Sequence, residues 1–378
     1  MVAFVIFGLF WGSWAVMLFN IQRAFHLDDA AIGVLLSVAV GVAGASSAIM
    51  GHLSERVGSR RLLWVGLLAW AVLLALMSLT RQWWSFAGAL ILVEIAGGSI
   101  DTAMNAEASH RLIGNPAALV RFHALFNLGA LCGAASAAIV INAGLSFRWI
   151  WPGIALVALA LAVWSKTSDP GPLPGHGLAR GDTAGHPLAR LRREGLLLLL
   201  AVFALAEITE GGVDTWGVLF LRNHLASGVL LGAGAYVVGQ TMAATTRGAG
   251  GTLLGRLSAR RALIVGGCVA GGGIVLESLT HLSVLAAVGL MLGTGGASLF
   301  WPLVMSQVSR QASAVVSAVG TFTAAGYIGW VAGAPVVGWI SQTYGPARGL
   351  QLLAVAAGGV ALASVLRTDR SPSEMPTG

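Results

Sequence analysis

Charged residues are scarce in this chain of 378 residues, where Asp, Glu, Lys and Arg together make up only 10%. A soluble domain carries about 25% of such residues. Hydrophobic residues make up 56% of the chain, and the mean hydropathy is +0.82. A chain of this composition cannot cover its surface with polar groups, so lipid must be the solvent for much of it. The scarcity of charge therefore excludes an ordinary soluble domain.

Cysteine and lysine are also nearly missing from the sequence. The two cysteines, Cys132 and Cys268, lie in separate apolar runs, which is too few and too isolated for a disulfide framework or a metal site. Lys166 is the single lysine, so the net charge of +7 comes almost entirely from arginine. In a soluble protein this charge would suggest a nucleic-acid partner. In a lipid-embedded chain it predicts basic loops on one side of the membrane and no nucleic-acid partner.

The short motifs that mark common enzymes are absent from the sequence. It has no GxSxG elbow, no HExxH, no CxxC and no GxxxxGK[ST] phosphate loop. The pair Gly232 and Gly234 forms a fragment of a dinucleotide fingerprint, but it lies inside an apolar run with no strand before it. The sequence therefore predicts no enzyme, no cofactor and no metal site, and any transport would be driven by a gradient rather than by ATP.

Long apolar runs dominate what is present. Twelve of them approach or exceed the length of about 20 residues that a spanning helix needs. Because the runs are continuous rather than alternating, they exclude a β-barrel and predict an all-α membrane protein with twelve transmembrane helices in two six-helix bundles. The segments are roughly 2–20, 31–50, 62–80, 84–106, 122–144, 149–166, 196–221, 229–249, 262–280, 284–308, 313–340 and 347–366.

One long stretch interrupts the apolar pattern at its midpoint. Residues 167–195 are rich in Pro, Gly, His and Arg and show no apolar periodicity, which predicts a flexible cytoplasmic linker. The expected domains are then an N-terminal bundle at 1–166 and a C-terminal bundle at 196–366. Residues 367–378 are expected to form a cytoplasmic tail. Close helix packing is expected at glycines in small-xxx-small spacing, such as Gly129 with Gly133 and Gly329 with Gly333.

An internal repeat supports the division into two halves. The basic stretch Gly51–Arg61, GHLSERVGSRR, returns 200 positions later as Gly251–Arg261, GTLLGRLSARR. The first glycine, the leucine, the first arginine and the closing arginine pair recur at the same places. Two copies of one short motif at this spacing indicate two homologous halves.

The distribution of basic residues predicts the orientation of the chain. With both termini in the cytoplasm, 17 of the 22 basic residues fall on the inside, and an odd number of spans per half would destroy this asymmetry. The inside group is Arg56, Arg60, Arg61, Arg111, Arg121, Lys166, Arg180, Arg190, Arg192, Arg193, Arg247, Arg256, Arg260, Arg261, Arg310, Arg367 and Arg370. The outside group is Arg23, Arg81, Arg148, Arg222 and Arg348.

The stretch Gly51–Arg61 resembles the signature that the major facilitator superfamily carries between its second and third helices. Motif, position and six-plus-six layout agree, so the resemblance covers essentially the whole chain. Further residues resemble the MosC-like branch, a relative of the sugar–proton symporters of the fucose-permease kind. They are Asp101-Thr-Ala-Met-Asn105-Ala-Glu107, Phe122-His123-Ala-Leu-Phe126 with Gly129, Glu210-Gly211 with Asp214 and Trp216, and Tyr327-Ile-Gly329 with Pro335 and Gly338.

The resemblance implies a central cavity lined by helices 1, 4, 7 and 10, and a gate at the repeated basic loop. Charge pairs at this gate would hold the cytoplasmic side closed and break when the site opens inward. The predicted gating residues are Gly51, Glu55, Arg56, Gly58, Arg60, Arg61, Arg256 and Arg260. Because Gly255 stands where the first copy has Glu55, we expect Glu55→Gln to slow transport and Gly255→Ala to do little.

Acidic residues at lipid depth mark candidate proton carriers, since they are expensive to bury and are usually functional. In helix 4, Glu94, Gly98, Asp101 and Asn105 fall on one narrow face. That face must contact a water-filled cavity or another polar helix. Asp101 is the expected proton carrier, with Glu94 second. The alternative is a carboxylate tied structurally to a polar group of a neighbouring helix.

Helix 7 carries a second acidic face made by Glu207, Glu210 and Asp214. Three ionised acids on one face would repel one another, so at least one should be protonated or paired with a cation. Gly211 and Gly212 are expected to loosen the helix there, as in broken helices at binding sites. Glu207 and Glu210 are further candidates for proton coupling. The alternative is that Asp214 lies solvated near the outer mouth and only Glu210 matters.

Polar and aromatic side chains of the spanning segments are the candidate substrate contacts. Hydrogen-bonding groups and ring-stacking surfaces would suit a sugar-like solute, although aromatic residues in spanning helices more often pack or anchor at the interface. The predicted substrate-binding residues are Asn105, His123, Asn127, Asp214, Tyr236, Gln240, Trp301, Tyr327 and Trp14. Glu277, by contrast, is expected to reach the membrane interface.

These features predict a secondary active transporter, with one leading hypothesis and two alternatives. The leading hypothesis is proton-coupled, alternating-access movement of a sugar, polyol or inositol-like solute across the inner membrane by a monomer, with the small-molecule substrate, protons and the lipid bilayer as its partners. The first alternative is a proton-driven exporter of a drug-like or metabolite compound. The second is a membrane sensor that transports nothing.

Overall fold

The computed structural model describes residues 2–111, 116–167, 187–248, 258–312 and 315–366. These ranges contain helices and short turns and no strand, which confirms the all-α prediction. The first half comprises α1 (Val2–Ala24), α2 (Asp29–Val57), α3 (Ser59–Leu79), α4 (Trp83–Arg111), α5 (Pro116–Asn142), a 3₁₀ turn (Phe147–Trp149) and α6 (Ile150–Thr167). The second comprises α7 (Pro187–Arg193), α8 (Leu197–Asn223), α9 (Val229–Gly248), α10 (Ala259–Leu279), α11 (Ser283–Ala297), α12 (Phe300–Gln311), α13 (Val315–Tyr344) and α14 (Pro346–Leu366).

Ten stretches within the described ranges are long and apolar enough to cross a membrane. One of them, Ser283–Val308, includes both α11 and α12, so the single segment predicted at 284–308 is interrupted where α11 ends and α12 begins. Helices α8 and α9 have 27 and 20 residues but stand outside this set of ten. The predicted total of twelve spans therefore depends on two further helices, of which α8 carries four charged residues, Glu207, Glu210, Asp214 and Arg222.

The long helices alternate in direction, which gives the bundle two ends. We call the end that carries Val2 the near end, and the opposite one the far end. The near end also carries the α2–α3 turn, the last residues of α4, α6 and α14, and the first of α8 and α10. The far end carries residues 25–28, 80–82, 143–146, 224–228, 280–282 and 345.

Local capping explains why several of these helices begin and end where they do. The Asp28 side chain accepts a 2.7 Å hydrogen bond from the Ala31 amide and so caps the start of α2. Gly58 alone separates α2 from α3, and its φ of +86° is one that only glycine adopts without strain. Ser258 caps α10 by accepting from the Arg261 amide. The motif glycine thus serves a one-residue turn.

Helices α1 and α5 touch along their backbones at four glycines. A Cβ atom on Gly12 would overlap the carbonyl oxygen of Ala130, and one on Gly133 would overlap that of Leu9. Gly8 and Gly129 make equally close approaches along the same seam. The prediction that Gly129 and Gly133 let backbones approach closely is confirmed, because no larger residue fits there.

Matching arginines connect the near end within each half. Arg60 at the start of α3 donates from Nε to the Ser165 carbonyl at the end of α6, at 2.9 Å. Arg260 at the start of α10 donates from Nε to the Ser364 carbonyl at the end of α14, also at 2.9 Å. The internal repeat is therefore structural as well as sequential. These bonds connect helices of the same half, and a gating role for both arginines stays a prediction.

The predicted linker contains a helix in its second part, so it is not irregular throughout. Residues Pro187–Arg193 form α7, with proline at its first position, where a missing amide costs nothing. Leu191 is 1% exposed and belongs to the apolar core beneath α7. Three arginines make this short helix strongly basic. The burial of Leu191 explains why this part of the predicted linker is helical, which its composition did not predict.

The two halves meet most extensively along two pairs of helices, and α1 also contacts α8. Helix α2 packs on α13 and α5 packs on α9. Towards the far end the α2–α13 contact is close: a Cβ atom on Gly33 would lie 2.6 Å from the Ala334 carbonyl oxygen. The Ser37 hydroxyl donates a 2.6 Å hydrogen bond to the Val331 carbonyl. Along these two seams the backbones of the halves come close together.

Candidate functional site

The first polar cluster lies on the α2–α13 side and is centred on Asp101 of α4. Asn105, one turn away, donates from Nδ2 to Asp101 Oδ1 at 2.9 Å. Tyr327 of α13 donates its hydroxyl to Asp101 Oδ2 at 3.2 Å. Three residues predicted separately from two halves of the chain are thus brought together. The Asp101 carboxylate links the halves directly.

Helix α2 supplies the support for this cluster. Gly98 of α4 packs against α2, since a Cβ atom there would lie 2.6 Å from the Ala43 carbonyl oxygen. The Ser47 hydroxyl donates to the Gly98 carbonyl at 3.1 Å, and the Thr102 hydroxyl donates to the Ser47 carbonyl at 2.9 Å. Gly98 therefore serves helix packing, although it lies in the predicted polar stripe.

Glu94 lies apart from the Asp101 cluster. It is 2% exposed, and its Oε2 faces the same space beside Gly97 as the Phe7 ring and the indole nitrogen of Trp70. These neighbours all belong to the first half. The two acids of α4 thus have different surroundings: Asp101 joins the halves, whereas Glu94 lies within one.

The second polar cluster lies on the α5–α9 side and is centred on Arg247 of α9. Arg247 is 6% exposed and forms an ion pair with Glu210 of α8. Its Nη1 donates to Asn127 Oδ1 of α5 at 2.9 Å, and its Nε donates to the Ser298 carbonyl at 3.4 Å. This arginine supplies the cation that the acidic face of α8 requires.

The same network continues from α5 to Asp214. Asn127 donates from Nδ2 to Gln240 Oε1 at 2.6 Å, and Gln240 donates from Nε2 to Asp214 Oδ1 at 3.1 Å. Tyr236 lies one turn from Gln240, with its hydroxyl within hydrogen-bonding reach of Asp214. The predicted residues Asn127, Asp214, Tyr236 and Gln240 thus converge, and Asp214 is bonded within the network rather than solvated at a mouth.

Sequence reasoning missed Arg247, which was counted among the cytoplasmic loop residues. The signal was nevertheless present, because Tyr236, Gln240, Ala243 and Arg247 repeat the i, i+4, i+7, i+11 spacing of the polar stripe in helix 4. The arginine lies on the same face of α9 as the two predicted residues. A buried cation on a polar helical face should have been read as part of the site.

Glu207 has a different environment from the other acids of α8. It packs against Gly326 and Gly329 of α13, and its Oε1 is buried without a partner among the described residues. The glycine pair that follows does not break the helix, which corrects the expectation of a loosened segment. Gly211 faces the Trp330 ring and Gly212 faces Leu353, so both are needed for close packing.

The predicted aromatic contacts differ in their surroundings. Trp14 is 3% exposed and stacks on Phe86 with ring centroids 6.2 Å apart, which favours packing over substrate contact. Trp301 is partly buried against the apolar core of the second half. A further pair, Trp11 and Trp330, meets edge to face across the two halves at 6.1 Å. This last pair supplies aromatic surface between the two polar clusters.

Several predicted residues are exposed or fall outside the described structure. Arg56 and Arg61 are exposed at the near end, and a Cβ atom on Gly51 would meet nothing within 4 Å. The side chains of Glu55 and His123 lie outside the described residues, as does all of Arg256. Their roles in gating or binding stay predictions.

Glu277 of α10 does not reach the membrane interface as expected. It is 0% exposed, and neither carboxylate oxygen has a partner among the described residues. Its side chain points toward Gly217 of α8 and Leu290 of α11. Leu290 fills most of the space beside Gly217, and Glu277 lies at ordinary contact distance from that position. This buried acid lies in the second half and belongs to neither polar cluster.

The far end carries polar contacts between the halves that sequence reasoning did not predict. Arg222 at the end of α8 donates from Nη1 to Asn20 Oδ1 of α1 at 2.7 Å. Asn223 donates to Gln22 Oε1 at 2.5 Å, and Gln22 donates in turn to Asp29 Oδ1 at 2.7 Å. These bonds close the far end above the two clusters. Among the described residues no group of three His, Cys, Asp or Glu is placed to hold a metal ion.

The arrangement allows protonation to control contact between the halves. An ionised carboxylate only accepts hydrogen bonds, whereas a protonated one also donates. Adding a proton to Asp101 changes what it offers to Tyr327, and adding one to Glu210 removes the charge that pairs with Arg247. Both acids lie at half-depth between the two ends. A change of one proton there alters a bond between helices.

Comparison with known proteins agrees with this architecture. A family model described as Major Facilitator Superfamily matches residues 1–334. An uncharacterised transporter of the same type from Yersinia pestis is 28% identical over 373 residues, covering 95% of this chain and 91% of the relative. Membrane protein MosC of Rhizobium meliloti is 25% identical over 378 residues, covering 99% and 90%.

Solved structures share the fold at lower identity. The nucleoside transporter NupG superposes with a TM-score of 0.73 and 16% identity, covering 96% of both chains. The fucose:proton symporter FucP of E. coli superposes with a TM-score of 0.64 and 16% identity, covering 98% of this chain and 99% of that one. At this level of identity the likeness concerns the fold.

Proposed function

Because the chain belongs to the major facilitator superfamily and is therefore a membrane transporter rather than an enzyme, we propose that it moves a small polar solute together with protons. The observation that carries the proposal is the pair of polar clusters between the halves. Each cluster contains an acid, Asp101 or Glu210, bonded to a residue of another helix. Buried ionisable groups at membrane depth are the usual means of proton relay.

The proposed cycle uses these acids as switches. With the far end closed, Asp101 joins α4 to α13 and Arg247 joins α8, α9 and α5. Binding of a proton to either acid weakens its present bond and favours a different arrangement of the halves. The solute then meets the site from the other end. Such alternating access needs two discrete arrangements of the halves about a fixed central site.

We propose that the near end faces the cytoplasm and that the chain lies in the inner membrane as a monomer with both termini inside. The excess of basic residues in near-end loops supports this orientation, since positive charge is retained on the cytoplasmic side. The far end, closed by Arg222 and Asn223, then faces outward. We propose the domain bounds that are expected from the sequence for the two bundles, the linker and the tail.

A solute rich in hydroxyl groups suits the chemistry of the site. Asn127, Gln240 and Asn105 offer both donors and acceptors, and the Tyr236 hydroxyl adds another. The Trp11–Trp330 pair offers ring surface between the clusters. The solved relatives that are named as carriers of nucleosides and fucose act on solutes containing sugar rings. We therefore propose a sugar, polyol or inositol-like solute.

Proton movement in reconstituted vesicles tests the proposal directly. Adding the right solute outside should alkalinise the external medium as protons enter with it. Asp101→Asn and Glu210→Gln should abolish this signal. Glu107→Gln is the control and should retain it, because Glu107 lies close to the cytoplasmic end of α4. If no member of a broad panel of sugars, polyols and inositols moves protons, the proposed symport is wrong. An exporter would instead move protons in response to solute that is loaded inside the vesicles, with acidification outside. A sensor would keep its physiological output in both Asp101→Asn and Glu210→Gln.

A further inference from the structure

The far end holds a basic cleft whose lining includes no residue of the two polar clusters. It has a volume of about 580 Å³ and opens to the surface at the junction of the two halves. Phe19, Gln22, Arg23 and His26 are among the residues that line it from the first half, and Arg222, Asn223 and Ala226 line it from the second. Most of the basic residues of the chain belong to the near end, so two arginines converging here are unusual.

The two arginines share one aromatic ring. The guanidinium carbon of Arg222 lies 4.0 Å from the centroid of the Phe19 ring, and that of Arg23 lies 5.6 Å from it. The two cations are therefore within roughly 10 Å of each other, about one Debye length at 0.1 M salt. They come from opposite halves, so their repulsion opposes closure of the far end.

Neither arginine is neutralised by an acid among the described residues. The buried salt bridge of the second half joins Arg247 to Glu210 and involves neither of these arginines. The nearby acids are engaged elsewhere: Asp29 accepts from Gln22, and Asp28 caps α2. Arg222 uses Nη1 to reach Asn20, and its Nε is buried with no partner in the described structure.

We propose that this cleft binds a small oxyanion of the phosphate or carboxylate class, and that the anion holds the far end closed. A guanidinium group presents a planar fork of donors that matches such oxyanions. The Arg222 guanidinium lines the cleft and supplies donors from the second half, and the exposed Arg23 supplies others from the first. An anion between them replaces repulsion with a bridge. Its source is either a free anion or the headgroup of an anionic lipid.

Binding is tested on the purified full chain with inorganic phosphate as the probe. Phosphate should raise the melting temperature and give a saturable heat of binding at constant ionic strength. Arg23→Gln and Arg222→Gln should each weaken binding by about tenfold or more, since each removes a charge-assisted contact. Arg348→Gln is the matched control, because that far-end arginine is exposed and bonds only Gln351 among the described residues. Arg23 is exposed too, so its variant should fold normally.

Closure is tested by the distance between spin labels at Gln82→Cys and Leu282→Cys, with Cys132 and Cys268 replaced by serine. Both labels lie at the far end, in opposite halves and outside the cleft. Phosphate should shift the distribution to shorter distances, and Arg23→Gln should abolish the shift. In nanodiscs without phosphate, the same shift with anionic but not zwitterionic lipid would identify a headgroup as the source.

Two results would overturn this inference. Equal stabilisation of the parent chain, Arg23→Gln and Arg222→Gln by phosphate would show that the ion acts nonspecifically. Saturable binding with no change in the label distances would show that the anion does not hold the far end closed. Neither measurement requires the transported solute, so failure here leaves the proposed proton-coupled transport untouched.

Discussion

The Tyr327 hydroxyl donates to Oδ2 of Asp101 at 3.2 Å, and the two residues belong to opposite halves of the chain. The Tyr327 ring is held in place by Gly44 of α2, where a Cβ atom would lie 3.1 Å from the ring. The position of the hydroxyl is therefore fixed by packing, while the charge of its partner is free to change. A change in the protonation of Asp101 therefore alters its bond to the second half.

Replacing Tyr327 by Phe should slow solute uptake by about tenfold, equivalent to about 1.5 kcal/mol for one hydrogen bond to a charged group. The ring is retained, so folding should be unaffected. Initial uptake rates in vesicles measure the effect. Tyr344→Phe is the control, because Tyr344 is exposed at the far end. Equal slowing by both substitutions would contradict a specific role for the bond.

Replacing Arg247 by Gln should destabilise the protein by up to about 3–5 kcal/mol, because it leaves the partly buried Glu210 without its cation. The double variant Arg247→Gln/Glu210→Gln should recover most of this stability, since neither charge remains. Neither variant should carry out solute-coupled proton movement. Thermal unfolding in detergent and proton fluxes in vesicles measure the two effects separately. If the double variant is as unstable as the single one, the ion pair is not the cause.

Replacing Gly12 by Ala should disturb the contact between α1 and α5 and destabilise the protein by about 1–3 kcal/mol or more. The added methyl group would overlap the Ala130 carbonyl oxygen, and backbone cannot move aside as a side chain can. Gly153→Ala is the control, because a Cβ atom there meets nothing within 4 Å. Melting temperatures compare the two, and an unchanged value for Gly12→Ala would show that the seam is looser than described.

Replacing Gly58 by Ala should cost about 1–3 kcal/mol through backbone strain, because its φ is +86°. Gly51→Ala provides a control within the same motif, since Gly51 is helical and a Cβ atom on it has nothing within 4 Å. We expect its melting temperature to match that of the parent chain. A larger loss of stability at Gly51 than at Gly58 would be inconsistent with the one-residue turn.

Replacing Glu277 by Leu should raise the free energy of unfolding by about 1–3 kcal/mol, the usual cost of a buried polar group without a partner. Leucine fills a similar volume against Gly217 and Leu290. Glu277→Lys should instead destabilise strongly, because a cation would be buried there. Thermal unfolding of the three proteins ranks them. A melting temperature for Glu277→Leu well below that of the parent chain would indicate a partner for this acid.

The sequence predicted the helical class, most of the segments and the duplication, because apolar length and repeated motifs are local properties. It also predicted several residues of the two clusters as site residues, with Asp101, Asn127, Asp214 and Gln240 among them, but not Arg247. It did not predict their pairing, since a helical face can be read from spacing but the opposite helix cannot. Whether Asp101 meets Tyr327 depends on how α4 and α13 approach each other.

Two residues whose positions were predicted wrongly show why sequence alone was not enough. Arg247 and Glu277 both lie near helix ends in sequence, where long charged side chains usually reach water. Arg247 turns inward because Glu210 and Asn127 are there to receive it. Glu277 turns inward as well and lies beside Gly217 and Leu290. Gly211 and Gly212 likewise looked like a flexible point, but large neighbouring side chains occupy the space beside them.

Because Arg60 and Arg260 make equivalent bonds, the two halves of this chain can be aligned with each other and compared residue by residue. What both copies retain is what a six-helix unit requires in order to hold together, whichever half it forms. What only one copy retains, such as the acid at Glu55 where the other has Gly255, belongs to the asymmetry between the halves. Comparing the two copies therefore separates residues that the fold of a six-helix unit requires from residues that set the direction of transport.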